Sequence, residues 1–162
     1  MKQNLTFAVI LLAMLSMINA TPLHKRKTVF QNGTAIPGTS PLNVAITPDP
    51  VQSGKNVTFT ISGSFHDSPL KSDPVTEVAF AYATSSNPCN VPTTSQRVCS
   101  DRSDSSDTIK CPVTDYNTTI IVQVPADLPT DDYLITVMIT DDNYDVLAVA
   151  SADVNYVTQC PI

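Results

Sequence analysis

Apolar and polar residues alternate along short segments of this chain, and this alternation limits its possible folds more than any other feature. Residues 56–62, "NVTFTIS", place Val57, Phe59 and Ile61 on one face and threonines on the other. No apolar repeat of 3.6 residues continues beyond two turns in residues 21–162. Because successive side chains of a strand point to opposite faces, the pattern predicts half-buried β-strands rather than helices.

Several other segments show the same period of two. Their inward positions would be Val78, Phe80 and Tyr82 in residues 75–83, Ile120, Val122 and Val124 in residues 118–125, and Tyr133, Ile135, Val137 and Ile139 in residues 133–140. A shorter strand is predicted over Leu42 to Thr47, and one or two more between Val146 and Val157. Many short strands separated by Pro, Gly, Asp and Asn predict an all-β antiparallel sandwich or barrel.

Prolines and a glycine mark the first turn, in "ITPDPVQSGKNVTFTISGSF" at residues 46–65. Pro48 and Pro50 fix φ and lack the N–H donor, so the first strand ends there. Gly54 supplies a turn conformation before the second strand. "PADLPTDDY" at residues 125–133 predicts a similar crossing, and "TDDNYD" at residues 140–145 predicts a hairpin turn.

The N-terminal forty residues are predicted to lie outside the domain. Residues 1–20 combine Lys2, an apolar run and Ala20, which is the pattern of a secretory signal peptide. Residues 21–40 form a prosegment or flexible linker, in which Lys25, Arg26 and Lys27 mark either a dibasic processing site or a frayed, uncut terminus. Residues 41–162 suit one domain.

Charge, cysteines and sequons fit a secreted protein or one in the lumen of the secretory and vacuolar pathway. From residue 28 onward there are five basic and fifteen acidic side chains, a net charge of −10, which disfavours nucleic acid. Four cysteines suit an oxidising compartment. Sequons predict N-glycosylation at Asn32, Asn56 and Asn117.

Residues for catalysis or metal binding are scarce. His24 lies in the predicted prosegment, and His66 stands alone in a loop. No nucleophile elbow or phosphate loop appears. The aspartates of "SDRSDSSD" recur every three residues, unlike the ligand spacing of a calcium loop. We therefore predict no enzyme, no metal and no cofactor.

Four segments together resemble a known family. These are "ITPDPVQSGKNVTFTISGSF", Cys99 followed after eleven residues by Cys111-Pro112, "TTIIVQVPADLPTDDYLITVM", and the acidic hairpin with its following strand. In this order they resemble the ML lipid-recognition domain, in particular fungal phosphatidylglycerol/phosphatidylinositol transfer proteins. The early cysteine of the family and its late partner are absent, and "AYATSSNP" at residues 81–88 replaces its Gly-Leu-aliphatic-Lys stretch.

The resemblance implies an immunoglobulin-like sandwich whose two sheets enclose a phospholipid or a sterol. Such a protein would be a monomer that touches membranes transiently. The cavity would be lined by the inward residues Val57, Phe59, Ile61, Phe80, Tyr82, Ile120, Val122, Tyr133, Ile135 and Val137. The resemblance also implies a Cys99–Cys111 disulfide, which leaves Cys89 to pair with Cys160; a Cys89–Cys99 bridge is the rival.

A different class of function stays open at this point. A secreted immunoglobulin-like adhesion or cell-surface module would show the same strand pattern around a solid core. A cavity that opens at one end of the sandwich would favour the lipid carrier. An intersheet layer packed throughout at ordinary density would favour the adhesion module.

Overall fold

The computed structural model describes residues 27–32, 38–71, 73–100 and 109–156. These residues form eight β-strands and no helix. In chain order the strands are β1 (Gln31–Asn32), β2 (Leu42–Thr47), β3 (Asn56–Ser64), β4 (Val75–Tyr82), β5 (Thr93–Arg97), β6 (Asp115–Gln123), β7 (Tyr133–Thr140) and β8 (Val146–Val154).

The strands form two antiparallel sheets. The five-stranded sheet has the order β1-β8-β7-β4-β5, and the three-stranded sheet has the order β2-β3-β6. Along one side the sheets meet where the Ser40 N–H donates to the Leu147 carbonyl at 2.9 Å. The molecule is an all-β, immunoglobulin-like sandwich, which confirms the predicted fold class.

Strand register brings the large apolar side chains into one layer between the sheets. In the three-stranded sheet Phe59 lies opposite Ile120. In the five-stranded sheet Phe80 lies opposite Ile135. Because side chains alternate along each strand, every second residue then faces the other sheet. The core is this intersheet layer.

Two glycines, one near the start and one near the end of β3, occupy positions where a larger side chain would be unfavourable. Gly54 has a φ of 71°, and its N–H donates to the Val124 carbonyl at 3.1 Å. This is the turn conformation predicted for it. At Gly63 a Cβ atom would lie 2.9 Å from Leu42 Cδ2 and 3.0 Å from Phe65 Cε2, so any larger residue would force these two side chains to shift.

Two strands do not follow from the sequence pattern. β5, "TTSQR", is a mostly exposed edge strand with no apolar side chain. β1 belongs to the segment that sequence assigns to the prosegment or linker, yet it pairs with β8. Both strands are held by backbone hydrogen bonds to a neighbouring strand, and such bonds leave no apolar period. The domain boundary at residue 41 stays a prediction.

Candidate functional site

All ten side chains predicted to face inward lie in the intersheet layer. Each of them is at most 4% exposed: Val57, Phe59, Ile61, Phe80, Tyr82, Ile120, Val122, Tyr133, Ile135 and Val137. The Phe59 ring packs edge-on against Phe80 of the opposite sheet, with 6.2 Å between ring centroids. It also packs edge-on against Phe30, at 6.5 Å. The period of two therefore located the core, and its role in lipid binding stays a prediction.

A hydrogen bond joins the two sheets near the beginning of β4. The hydroxyl groups of Thr76 on β4 and Tyr116 on β6 lie 2.7 Å apart. Thr76 is wholly buried and Tyr116 is 4% exposed. Because an unpaired buried hydroxyl is costly, this contact fixes the two sheets relative to each other.

A second cross-link lies at the opposite end of β4. The Tyr82 hydroxyl donates to Asp127 Oδ1 at 2.7 Å. Asp127 belongs to the connection that follows β6, so this bond also joins the two sheets. Asn90 Nδ2 donates to the same tyrosine oxygen at 3.3 Å. Asp127 is exposed, whereas Thr76, the partner of Tyr116, is wholly buried.

Burial keeps the tyrosines of this layer protonated. The pKa of Tyr82 is raised to about 12, first by burial and then by the Asp127 carboxylate. Burial also raises the pKa of Tyr116. The pKa of Tyr133 is raised by burial and, to a smaller extent, by the negative charge of Asp49. All three phenols are thus protonated over a wider pH range than a free tyrosine.

A pocket of about 450 Å³ opens beside the Tyr82 cross-link. Tyr82 at the end of β4 and residues 90–92 of the following connection line one side of it, and residues 123–126, at the end of β6 and just beyond it, line the other. It is an open depression of the surface whose lining comes from the ends of both sheets and from the loops next to them. The lining contains no charged side chain, and Asp127 is the next residue along the chain.

Sequence reasoning missed the polar partners of this site. Tyr116 has the same strand parity as Ile120 and Val122, so its inward orientation could have been read from the sequence. Thr76 shares the parity of Val78 in the same way. Asn90 and Asp127 lie in loops, and no sequence pattern points to them.

The cysteines agree with the pairing implied by the family resemblance. Cys99 and Cys111 form a disulfide with a Cα–Cα distance of 5.3 Å. This bond excludes the rival Cys89–Cys99 bridge. Cys89 is itself disulfide-bonded, and the predicted partner Cys160 lies outside the described residues.

The remaining candidate residues lie on the surface. The His66 ring contacts the Ser64 hydroxyl at 2.6 Å through Nδ1, and its Nε2 lies 3.5 Å from Asp115 Oδ2. The second distance is too long for a hydrogen bond that orients a catalytic base, and all three side chains are exposed. This cluster therefore gives no support for catalysis.

Within the described part of the chain, no group of three or more His, Cys, Asp or Glu side chains is arranged to hold a metal ion. The aspartates of "SDRSDSSD" at residues 101–107 lie outside the described residues. No helix among the described residues is long and apolar enough to cross a membrane.

The three predicted glycosylation sites occupy exposed positions. Asn56 and Asn117 are both exposed, on β3 and β6 of the three-stranded sheet. They share the strand parity of its outward residues, because Val57 and Tyr116 beside them face inward. Asn32 is also exposed, and its side-chain oxygen accepts the Leu42 N–H at 3.1 Å. Glycosylation of all three stays a prediction.

Known proteins with a similar sequence or structure indicate the family of this chain. The family model described as "ML domain" matches residues 34–156. No curated protein sequence matches significantly. Thirteen chains of solved structures match significantly, and chicken MD-1 complexed with lipid IVa is among them. The two chains are 13% identical with a TM-score of 0.41, and the match covers 76% of this chain and 85% of that chain. Because the family model covers most of the sequence, the chain belongs to the ML domain family.

Proposed function

We propose that this protein binds one lipid non-covalently, with its tail between the two sheets and its head at the Tyr82 end of the sandwich. The observation that carries the proposal is the open pocket of about 450 Å³, whose lining residues come from the ends of both sheets and their adjoining loops. This volume lies in the range of about 300–1,000 Å³ that is usual for small-molecule sites. The family supports the same ligand class, since the chain resembles lipid-recognition domains.

The energetics favour such a complex. Burying each methylene contributes about 0.8 kcal/mol, so ten methylenes contribute about 8 kcal/mol, which corresponds to micromolar affinity before ordering costs. The inward side chains are closely packed, so the sheets must part for the rest of the tail. Breaking the Tyr82–Asp127 hydrogen bond costs about 0.5–1.5 kcal/mol, because the exposed Asp127 regains water, and burial of the tail offsets this cost.

The head-group class follows from the charge of the pocket. The lining is uncharged and Asp127 adds a negative charge at its edge, so an anionic head group meets no cationic partner among the lining residues. The Tyr82 hydroxyl and the Asn90 amide suit a hydroxyl or a zwitterionic head. We therefore favour a sterol or a zwitterionic phospholipid over phosphatidylglycerol and phosphatidylinositol.

The proposal also includes the compartment in which the protein acts and the way it releases its lipid. The signal-like residues 1–20 and the disulfide between Cys99 and Cys111 support an extracellular or luminal protein. A monomer that releases its lipid during brief contact with a membrane would transfer it between bilayers. The closely packed inward side chains are also what an adhesion module would show, so it is the match to the ML domain family that favours lipid binding over this alternative.

Native mass spectrometry of the deglycosylated, secreted protein tests the proposal first. A copurified lipid at one per chain is expected, and organic extraction then identifies it. Labelled sterol, phosphatidylcholine and phosphatidylglycerol are offered next, and the first two are expected to bind more tightly. A protein that carries no lipid and takes up none of the three would contradict lipid binding and favour the adhesion module.

A matched pair of variants locates the site. Ala126 is exposed and lines the pocket, so Ala126→Trp is expected to fill the opening and weaken lipid uptake at least tenfold. Ala45 is exposed on β2, away from the pocket, and Ala45→Trp serves as the control. Equal uptake by the two variants would place the lipid elsewhere.

A further inference from the structure

The backbone nitrogen of Thr28 is held by the carboxylate of Asp49. The Thr28 N–H donates to both Oδ1 and Oδ2 of Asp49, each at 3.1 Å. The Thr28 hydroxyl donates to Oδ1 at 2.7 Å. Asp49 lies in the turn after β2 between Pro48 and Pro50, and both interacting residues are half-buried. One carboxylate thus makes three contacts to a single residue of the N-terminal segment.

The negative charge of this carboxylate has no countercharge among the described residues. No ion pair joins Asp49 to a described cationic side chain; the ion pairs between described residues are His66–Asp115 and Arg97–Asp73. The Thr28 amide supplies a hydrogen bond but no charge. A half-buried carboxylate is better matched by a cation, because charge-assisted hydrogen bonds are about twice as strong as neutral ones.

The residues that follow Thr28 contact the rest of the domain. After Thr28, the Phe30 ring packs against Phe59 and β1 pairs with β8. Lys27, immediately before Thr28, is exposed. In the sequence Lys27 ends the basic cluster that begins at Lys25. The nitrogen that Asp49 holds is therefore the atom that a protease specific for basic residues would release by cutting after Lys27.

We propose that the mature protein begins at Thr28 and that Asp49 binds its α-ammonium group. A secretory-pathway protease specific for basic residues would hydrolyse the Lys27–Thr28 peptide bond. Water adds to the Lys27 carbonyl carbon and the C–N bond breaks, which leaves a carboxylate on Lys27 and an amine on Thr28. The amine takes up a proton, so a neutral amide with one hydrogen becomes a cation with three, facing both Asp49 oxygens.

The new ion pair would lie near the proposed lipid site without forming part of it. The negative charge of Asp49 contributes to the raised pKa of Tyr133, so the two residues are close, and Tyr133 is the strand partner of Tyr82. Processing would therefore neutralise one carboxylate at this end of the sandwich and anchor the N-terminal segment there. The inference is independent of lipid binding, because it concerns only the start of the chain and Asp49.

The first test is the N-terminus of the full-length chain after secretion from a eukaryotic host. N-terminal sequencing and intact mass are expected to show Thr28 as the first residue. A first residue at Lys27 or upstream of it would overturn the proposed maturation.

A thermodynamic cycle tests the role of Asp49. The secreted protein and an uncut variant, in which Lys25, Arg26 and Lys27 are all changed to Gln, are each compared with and without Asp49→Asn. Asn keeps an oxygen acceptor but removes the charge. The substitution is expected to raise the equilibrium constant for unfolding by about tenfold more in the processed form than in the uncut form. Equal effects in the two forms would show that Asp49 does not bind the ammonium.

A second measurement covers the case in which Asp49→Asn fails to be secreted. The pH dependence of α-amine labelling gives the pKa of the Thr28 ammonium in the processed protein. The groups that face it are Asp49, the neighbouring Tyr133, and Asp153, which lines the same surface cleft. The two carboxylates are expected to raise this pKa above its ordinary value of about 8. An unshifted value would overturn the ion pair.

Discussion

The buried hydrogen bond between Thr76 and Tyr116 gives the sharpest prediction about stability. Tyr116→Phe removes one hydroxyl and leaves the Thr76 hydroxyl wholly buried without its partner. Such an orphaned group costs about 1–3 kcal/mol. Tyr82→Phe removes a hydrogen bond of the same length, but its partner Asp127 is exposed and regains water, so the expected cost is only about 0.5–1.5 kcal/mol.

A double variant separates the lost hydrogen bond from lost packing. Thr76→Val combined with Tyr116→Phe removes both hydroxyls and leaves two apolar groups of similar shape, which is close to neutral. Thr118 also bonds the Tyr116 hydroxyl, but it is only half-buried and water can replace that contact. The double variant is therefore expected to be more stable than Tyr116→Phe alone.

Urea unfolding and thermal melting, both followed by far-ultraviolet circular dichroism with the disulfides kept oxidised, measure these differences. A loss of 1 kcal/mol lowers Tm by about 4 °C for a domain of this size. Tyr116→Phe is thus expected to melt about 8 °C below the parent and Tyr82→Phe about 4 °C below it. The reasoning would be refuted if Tyr82→Phe were the less stable variant, or if adding Thr76→Val lowered stability further.

Two further predictions concern pH and the disulfide. Because the pKa of Tyr82 is about 12 in the folded state against 10.0 for a free tyrosine, the unfolded chain loses this proton first, so stability is retained below pH 10 and falls as pH rises toward 12. Urea titrations on either side of pH 10 should show a shallower fall for Tyr82→Phe, and an unchanged slope would contradict the assignment. Replacing Cys99 and Cys111 by Ala opens a loop with a sequence separation of 12 and should cost about 3 kcal/mol in guanidinium unfolding. A loss below about 1 kcal/mol would show that the loop is already constrained in the unfolded chain.

Strand positions were predictable where apolar alternation met a clear turn signal. β2 and β7 have the predicted bounds, Leu42–Thr47 and Tyr133–Thr140. Gly54 has the expected turn conformation. The physical reason is local, because side-chain direction alternates within a strand and backbone preference at a turn depends on one or two residues.

Elements held by a neighbouring strand were not predictable. β5 lies at an edge of the five-stranded sheet and consists of polar residues, so only its hydrogen bonds to β4 define it. β6 begins at Asp115, before the predicted start, because its pairing with β3 extends to Ser64. Interstrand hydrogen bonds use the backbone, so they leave little trace in side-chain composition.

By itself the sequence determined the fold class, the strand faces and the ten inward side chains, since these depend on a period of two. Only the tertiary structure decided which polar groups meet across the layer and around it. Thr76 reaches Tyr116, Asp127 reaches Tyr82, and Asp49 reaches Thr28. These partners are separated by 40, 45 and 21 residues, and their meeting depends on how the two sheets and their loops are placed relative to each other. That placement results from packing the whole core, and no short segment encodes it.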